Sequence, residues 1–412
     1  MSAPASQPLR GVVVIDFSQV MAGPYCTRLL AEMGADVIKI EPPGGEPVRS
    51  RAPVHEGHSR YYGQLNAGKR SVVLDLSEEP GREAARALVA RADVLVENFR
   101  PGVMTRLGLG PAACRALNPG LIYCSLSGYG HDAQRPAVAP VIHAESGYDR
   151  AVADYQPDGA QPPATGVFVA DILGGALAVG GILGALRRRD STGEGSHVDI
   201  ALTDAMLSVM VEEVQTAQSG TPLAPPYRPV RTNDGFVMVG AFSPRHALAL
   251  ADLIDRPDIA QDPRFAGPGM RAHLDDLHQA VEGWTASRSS DETESAIRAA
   301  GVPCSRYRAV DEVLGDEALH ARGTLRQARD AVGEFTIVGS PIRFADEEGL
   351  QSPPPDTFEV HDLGTHTRDV LARLAGYDRQ RIDDLIERGT GVSSEDEARA
   401  AATTSKQPKE LP

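Results

Sequence analysis

The sequence predicts an α/β fold built on a parallel β-sheet that helices cover on both faces. Over the first two hundred residues, short runs that are apolar almost throughout alternate with helical segments. Strands of this kind, without polar alternation, are typical of a sheet buried on both faces. Strands separated by helices are joined by crossover connections, which place them parallel. Ligands of such sheets bind beyond the carboxyl ends of the strands, so a site is expected in the segments that follow them.

Five strands and two helices are predicted in the first third of the chain. Residues 11–17 form a short β-rich apolar run, and residues 22–33 follow as a helix. Residues 36–40 form the second strand, which Pro42 and Pro43 end. The other predicted elements are a strand at residues 71–76, a helix at 81–92, and strands at 93–97 and 121–126.

Later segments divide the chain into a large domain and a smaller domain. Residues 237–325 are interpreted as a strand followed by helical stretches, residues 335–344 as a strand, and residues 362–374 and 378–388 as helices. The predicted boundaries are 1–220 for the first part of the large domain, 230–325 for the small domain, 326–390 for the return to the large domain and 391–412 for a tail. The tail is polar, charged and aperiodic, which predicts disorder.

Charge and composition argue against several classes of partner. A net charge of −15 does not suit nucleic acid or an anionic membrane as a general partner. The four cysteines contain no C-x-x-C pair and no zinc-like spacing, which predicts reduced buried thiols, no metal site and a cytoplasmic location. The N-terminus lacks the regions of a signal peptide. A long apolar helix predicted at residues 169–189 is interrupted by glycines, so it is expected in a protein core rather than in a membrane.

Asp171 is a lone carboxylate among apolar and small residues, at the expected start of this apolar helix. Burying an ionised carboxylate is costly unless its charge is stabilised, and a helix N-terminus can stabilise it. An ionised but poorly hydrated Asp is a candidate nucleophile. The alternative is an Asp that only caps a buried helix.

Basic and amide side chains gather after the predicted strands. Asn98, Phe99 and Arg100 follow the strand at residues 93–97, and Arg106 lies a few residues further on. An amide, an aromatic face and two guanidinium groups suit a purine with attached phosphates. The alternative is a turn that carries solvated charges.

A second candidate pair is His143 and Glu145, which could take part in proton transfer near an Asp. The alternative is two polar side chains at a helix end. No G-x-G-x-x-G after a strand, no G-x-x-x-x-G-K-[ST] and no G-x-S-x-G is present, so a dinucleotide, NTP or serine-hydrolase site is not supported.

Taken together, these segments resemble the family III CoA-transferases, the CaiB/BaiF group, over residues 9–375. The motifs that carry the resemblance are Asp16-Phe17 with Ala22-Gly23-Pro24-Tyr25, Val37-Ile38-Lys39-Ile40-Glu41-Pro42-Pro43-Gly44, Lys69-Arg70-Ser71, Glu97-Asn98-Phe99-Arg100-Pro101-Gly102, Ser127-Gly128-Tyr129-Gly130, the Ala170-Asp171 step before Gly174-Gly175, Gly301-Val302-Pro303-Cys304 and Gly364-Thr365-His366-Thr367.

The resemblance implies a Rossmann-like parallel-sheet large domain, a smaller inserted α+β domain and an interlocked homodimer. It assigns Asp171 as the catalytic nucleophile of a CoA-transferase (EC 2.8.3 class). The implied path is covalent and runs through an aspartyl anhydride and an aspartyl-CoA thioester. The implied partners are an acyl-CoA and a free carboxylic acid, with coenzyme A entering as part of a substrate and no separate cofactor.

The resemblance also implies the CoA contacts. Lys69, Asn98, Phe99 and Arg106 match residues that hold the nucleotide and its phosphates, and Ala22 matches a backbone contact near CoA. Two positions depart from the pattern of some members. Met21 stands where those members have Gln, and Pro42 stands where they have Arg.

The alternative within the same superfamily is a 2-methylacyl-CoA racemase. Such enzymes pair the matching Asp with a His in a Gly-His-Asp step. In this chain Val138 and Ala139 occupy the positions of that His and the following Asp, and His143 is five residues away. A general base needs a fixed position, so the sequence favours the transferase. The exchanged acids are left open, although the segments at residues 139–148 and 242–246 are expected to influence their selection.

Overall fold

The computed structural model describes residues 7–156, 161–162, 166–220, 227–346, 349–351 and 357–388, and the predicted tail at 391–412 lies outside them. The chain divides into two compact units. The first contains Met1–Val152, Gln161–Val211 and Ala318–Pro412, and the second contains Ala153–Ala160 and Glu212–Glu317. The sequence placed the small domain at 230–325. The long segment of the second unit, Glu212–Glu317, overlaps most of this predicted range.

The first half of the chain forms helices and strands that alternate along most of its length. In chain order they are β1 (Val13–Asp16), α1 (Ala22–Glu32), β2 (Asp36–Glu41), a 3₁₀ helix (Pro47–Ser50), β3 (Val54–His55), β4 (His58–Ser59), α2 (Arg60–Asn66), β5 (Arg70–Val73), α3 (Glu79–Val89), β6 (Val94–Glu97), α4 (Val103–Arg106), α5 (Pro111–Leu117), β7 (Ile122–Ser127), α6 (Ala139–Glu145), α7 (Tyr148–Asp154), α8 (Val169–Thr192), β8 (Ser196–Ala201), α9 (Leu202–Val209) and α10 (Val211–Ser219).

The second half of the chain has shorter strands. Its elements are β9 (Pro229–Arg231), β10 (Phe236–Val239), α11 (Pro244–Leu253), α12 (Pro257–Ala260), two 3₁₀ helices (Pro263–Phe265 and Pro268–His273), α13 (Leu274–Thr285), α14 (Ser290–Ala299), β11 (Cys304–Arg306), α15 (Val310–Leu314), α16 (Glu317–Ala321), β12 (Leu325–Asp330), β13 (Gly333–Val338), β14 (Phe344–Asp346), β15 (Gly349–Gln351), β16 (Thr357–Glu359), α17 (Thr367–Arg373) and α18 (Arg379–Glu387).

The main sheet of the first unit has six parallel strands in the order β5-β2-β1-β6-β7-β8. Its central strand β1 is buried on both faces. Val14 packs with residues of α1 and α8, whereas Ile15 packs on the opposite face with residues of α3, α17 and α18. The predicted α/β fold with a covered parallel sheet is confirmed.

Smaller sheets complete the two units. In the first unit β12 pairs with β13 and β16, and two short hairpins join β3 to β4 and β14 to β15. The single strand predicted at residues 335–344 is wrong, because β13 ends at Val338 and β14 begins at Phe344. In the second unit the antiparallel sheet β9-β10-β11 packs with α11, α13 and α14 around one core. All four cysteines are free and buried, as predicted.

Helix α8 begins at the predicted residue and carries Asp171 in its first turn. Its length and composition would allow it to cross a membrane, but it packs against α1, α9 and strands β7 and β8 of the first unit. Gly175 makes this packing close, because a Cβ there would lie 2.5 Å from the carbonyl oxygen of Ala22. The first turns of α1 and α8 are therefore brought together beside the carboxyl ends of the strands.

Candidate active site

A cavity of about 410 Å³ lies in the first unit, beyond the carboxyl ends of β1, β6 and β7. The start of α1 contributes Ala22, the segment after β6 contributes Asn98, and the first turn of α8 contributes Asp171. Most of the wall is apolar and includes Val138 and Phe168. Three residues that the sequence singled out thus share one cavity of the size of a small-molecule site.

Asp171 is poorly solvated and lacks the partners that usually stabilise a buried carboxylate. Burial raises the pKa of its carboxyl to about 6, and the positive charge of Arg51 lowers it only in part. Among the described residues, none donates a hydrogen bond to this carboxylate. The start of α8 supplies the positive end of a helix dipole, which favours the ionised form. The cavity therefore presents an ionisable carboxylate with unused lone pairs.

Arg51 and Tyr61 form the second polar feature of this cavity. The guanidinium of Arg51 lies over the Tyr61 ring, and its Cζ atom is 4.3 Å from the centroid of that ring. The same Cζ atom is 5.5 Å from the centroid of the Phe168 ring. The Tyr61 hydroxyl is buried without a hydrogen-bond partner in the described part of the chain, and so is the Ser127 hydroxyl. Buried polar atoms without partners in a cavity wall are available to a bound ligand.

A strained turn shapes the wall between β1 and α1. Val20 adopts a φ of 68°, which is unfavourable for a β-branched residue. Two contacts hold this turn: the side-chain amide of Asn98 bonds the backbone of Gln19 in both directions, at 2.7 and 2.8 Å, and the backbone N–H of Val20 donates to Glu46 Oε2 at 3.0 Å. Asn98 therefore has a structural task in addition to its place in the cavity wall.

The Lys69 ammonium lies in the interior, not at a ligand site. It is 3% exposed and donates to Asp16 Oδ2 at 3.0 Å, the Pro24 carbonyl at 2.9 Å and Asn66 Oδ1 at 2.8 Å. These three acceptors use all three of its N–H donors. The expected contact of Lys69 with CoA phosphates is corrected accordingly: Lys69 neutralises a buried carboxylate beneath the site.

Phe99 and Arg106 follow the cavity residue Asn98 in the sequence, but neither belongs to the described lining of the cavity. Phe99 is half-buried against the core on the α3 face, and its N–H donates to Glu97 Oε2 at 2.9 Å. Arg106 is exposed at the end of α4, and within the described ranges its guanidinium forms no ion pair. It is thus free to meet a phosphate in solution.

His143 and Glu145 do not form a proton-transfer pair. The fully buried His143 accepts a hydrogen bond at Nε2 from the N–H of Ala170, at 3.0 Å, so it caps the start of α8. Burial lowers the pKa of His143, which keeps the ring neutral. Glu145 is exposed and pairs with Arg135 at 2.7 Å. The interpretation of two polar side chains at a helix end fits this arrangement.

Sequence reasoning missed Arg51, Tyr61 and the capping role of His143. Arg51 follows a 3₁₀ helix and Tyr61 lies in the first turn of a short helix, so neither lies in a periodic segment. The one usable signal was the Tyr61-Tyr62 pair in a chain with only 5% aromatic residues. Over the described ranges, no group of three or more His, Cys, Asp or Glu side chains could hold a metal ion.

The chain is similar to known proteins over most of its length. The model of the "CoA-transferase family III" matches residues 9–361. A succinyl-CoA:mesaconate CoA-transferase of Haloarcula hispanica is 36% identical and covers 82% of this chain and 90% of the relative. A succinate–glutarate CoA-transferase of Agrobacterium fabrum is 33% identical, with 90% and 97% covered.

Solved structures give the same result. The crystal structure of a CaiB/BaiF family protein from Brucella suis superposes with a TM-score of 0.75 at 31% identity, and the match covers 90% of this chain and 100% of that one. Sequence and structure agree over nearly the whole of each relative. The chain belongs to the family III CoA-transferases and is a CoA-transferase.

Proposed function

We propose that the protein moves CoA from an acyl-CoA to a free carboxylic acid, with the Asp171 carboxylate as nucleophile. One observation carries this proposal: Asp171 lines the cavity as a poorly solvated carboxylate whose pKa burial raises to about 6. At neutral pH this group is ionised, and its oxygens are not committed to other donors. A carboxylate in that state is a stronger nucleophile than a hydrated one.

The proposed reaction has four steps, each of which forms one bond and breaks another. An Asp171 oxygen attacks the thioester carbonyl, a C–O bond forms, the C–S bond breaks and CoA thiolate leaves a mixed anhydride. The thiolate then attacks the Asp171 carbonyl and releases the donor acid as a carboxylate. The acceptor carboxylate attacks the resulting aspartyl-CoA thioester and frees the thiolate again. The thiolate finally attacks the acceptor carbonyl, which yields the new acyl-CoA and restores Asp171.

The apolar wall of the cavity supports this path. A mixed anhydride would be lost to hydrolysis if water had free access. Ala137, Val138, Ala139 and Phe168 present hydrocarbon to the space beside Asp171. These side chains offer water no hydrogen bonds, and a bound acyl group would cover them further.

We place the CoA moiety against Ala22 and Asn98 in the cavity, with Phe99 and Arg106 towards the nucleotide. Ala22 is the first residue of α1, and this helix has no side-chain cap, so its first N–H groups are free to meet a ligand. The exposed Arg106 is a free cation for a phosphate. Lys69 is left out of this contact set because its donors are already used.

The racemase alternative finds no support at this site. A two-base proton transfer needs a second base, and in this chain Val138 and Ala139 stand at the His and Asp positions of the racemase pattern and line the cavity. His143 is neutral and holds the Ala170 N–H. We expect no exchange of the α-hydrogen of a 2-methylacyl-CoA in deuterated buffer when no acid acceptor is present.

We also propose that the protein is a homodimer. The outer side of α8 is apolar and exposed over Ala176, Leu177, Gly180 and Gly184 in the described unit, and Leu177 is 44% exposed. Small residues allow the close approach of a second backbone, and a second copy would remove this surface from water. Light scattering of the purified chain would give twice the monomer mass, and a monomer mass at micromolar concentration would overturn the proposal.

Trapping the acyl-enzyme tests the nucleophile. The protein is incubated with succinyl-CoA and hydroxylamine, digested, and analysed by mass spectrometry. We expect a hydroxamate on the peptide that contains Asp171, and none in Asp171→Asn. A matched variant, Asp204→Asn, removes an exposed carboxylate from the first turn of α9 and should label like the parent. Labelling at another residue, or none with any acyl-CoA that is turned over, would overturn the assignment.

A further inference from the structure

The cavity beside Asp171 holds a cation that the four transfer steps do not use. Arg51 is the one basic residue among the described residues that line it. In the described part of the chain its guanidinium makes no hydrogen bond and no ion pair, and its contacts are the faces of Tyr61 and Phe168. Aromatic faces fix the position of a guanidinium through cation–π contact but leave its N–H donors unused.

Tyr61 adds a second donor next to this cation. Its hydroxyl is buried and has no partner within the described ranges. Burial raises the pKa of Tyr61, so the hydroxyl keeps its proton at neutral pH. A planar guanidinium beside a phenolic O–H matches the needs of a carboxylate, which accepts two N–H bonds and a further O–H bond.

The position of Arg51 relative to Asp171 indicates what would carry that carboxylate. The Arg51 charge reaches Asp171, since it lowers the pKa of the Asp171 carboxyl, yet the two groups form no ion pair. Both residues line the same cavity without being in direct contact as an ion pair. A molecule whose acyl carbon reacts at Asp171 would extend its other end into this space, and an apolar end would leave Arg51 desolvated and unpaired.

We propose that Arg51 and Tyr61 bind the second carboxylate of a dicarboxylic acid, so that the protein selects dicarboxylic acids over monocarboxylic acids of equal length. This inference rests on the proposed function of Asp171, which handles the reacting carboxyl group. Arg51 pairs with the distant carboxylate in both the acyl-CoA and the free acid. Selectivity arises because a bound monocarboxylic acid removes water from the Arg51 guanidinium without supplying a carboxylate to accept its hydrogen bonds.

An internal competition tests the proposal without depending on the donor step. The protein receives one acyl-CoA and an equimolar mixture of glutarate and pentanoate, and mass spectrometry gives the initial ratio of glutaryl-CoA to pentanoyl-CoA. That ratio equals the ratio of kcat/KM values of the two acceptors. We expect it to exceed one in the parent protein, to fall about 100-fold in Arg51→Gln and about tenfold in Tyr61→Phe. Arg51→Lys should restore part of the loss.

A matched control removes a cation from elsewhere in the same unit. Arg91 is exposed after α3 and away from the cavity lining, and Arg91→Gln should leave the product ratio unchanged. A parent ratio at or below one would overturn the proposal. An unchanged ratio in a folded Arg51→Gln protein would overturn it too, because Arg51 would then serve the reacting carboxyl or CoA itself. In that case trapping at Asp171 would still succeed, whereas failure of the proposed function would abolish trapping in every variant.

Discussion

Asp16 and Asp171 are two carboxylates of one unit with opposite surroundings. Asp16 is 0% exposed, and its oxygens accept from the Ser18 N–H at 2.9 Å, the Thr27 hydroxyl at 2.6 Å and Lys69 Nζ at 3.0 Å. Asp171 is more exposed, yet none of the described residues donates a hydrogen bond to it. The deeper carboxylate is thus the better stabilised one.

The pKa of each of these two carboxyl groups depends on its charged and hydrogen-bonding partners and not on how deeply the group is buried. Burial raises the pKa of Asp16, but the charges of Lys69 and Lys39 together with the hydrogen bonds from Ser18 and Thr27 outweigh it and hold the pKa at about 2. Burial raises the pKa of Asp171 to about 6, because Arg51 is the one charged side chain among the described residues that opposes it. A carboxylate whose lone pairs are taken can hold a structure together, whereas one with free lone pairs can react. The difference assigns a structural role to Asp16 and the proposed chemical role to Asp171.

Removing the charge of Asp16 should give the largest effect on folding. In Asp16→Asn the buried Lys69 loses its counter-ion, and we expect a loss of about 3–5 kcal/mol in the free energy of unfolding. Denaturant unfolding followed by circular dichroism measures it. The control is Asp36→Asn, which removes a half-exposed partner of Arg70 and should cost less than about 1 kcal/mol. Similar losses in the two variants would contradict the role given to Asp16.

Replacing Asp171 by Asn should increase the free energy of unfolding, whereas the same replacement at Asp16 should decrease it. An acid with a raised pKa in the folded state binds its proton more tightly there than in the unfolded chain, so folding is penalised as pH rises from about 4 to 6. Above pH 6 the penalty is complete. Asp171→Asn should therefore stabilise the protein by about 1–2 kcal/mol at pH 7.5 and by little at pH 4. Destabilisation at pH 7.5 in thermal unfolding would show that the Asp171 charge is well compensated.

The pH dependence of transfer tests the comparison through activity. The proposed nucleophile must be ionised, so kcat/KM should fall about tenfold per pH unit below pH 6. Because the Arg51 charge lowers the pKa of Asp171, Arg51→Gln should move the inflection to higher pH. Initial rates between pH 4.5 and 8 with a stable acyl-CoA measure both effects. An inflection near pH 4 would mean that Asp171 is no less hydrated than an ordinary Asp.

The sequence could predict the main sheet because its strands are buried on both faces. Strand β6 was expected at residues 93–97 and spans Val94–Glu97, since a doubly buried strand is apolar whatever its neighbours are. The strand expected at residues 335–344 failed for the opposite reason. Antiparallel, partly exposed strands such as β13 carry a weaker pattern, and the chain leaves β13 at Val338.

Side-chain partners were less accessible to sequence reasoning. Asp171 stood out because a lone charge in an apolar run needs an explanation within its own segment. Lys69 also stood out as a cation, but its counter-ion Asp16 lies 53 residues earlier in the chain, on β1. Arg51 belongs to an irregular segment, and only the fold brings it to the cavity of Asp171. Charges are visible in a sequence, whereas pairing between distant segments is not.

His143 offers a smaller test of how the Asp171 turn is held. His143→Leu removes the acceptor of the Ala170 N–H and leaves that donor buried, which should cost about 1–2 kcal/mol in unfolding free energy. His143→Gln can restore an acceptor and should recover part of this loss. Since the ring is neutral, the inflection of the pH profile should stay in place in both variants. If the inflection disappeared in a folded variant, His143 would take part in proton transfer.

Arg106 should show the smallest effect, because it lies outside the cavity lining and touches solvent. We expect Arg106→Ala to raise KM for the acyl-CoA about tenfold, since one exposed charge-assisted contact to a phosphate is lost. The value of kcat at saturation should change little, because the nucleotide is remote from the bond that reacts. Steady-state kinetics with one acyl-CoA at fixed acid concentration separate the two constants. An unchanged KM would remove Arg106 from the CoA site, and a fall in kcat alone would place it nearer to Asp171 than the cavity lining allows.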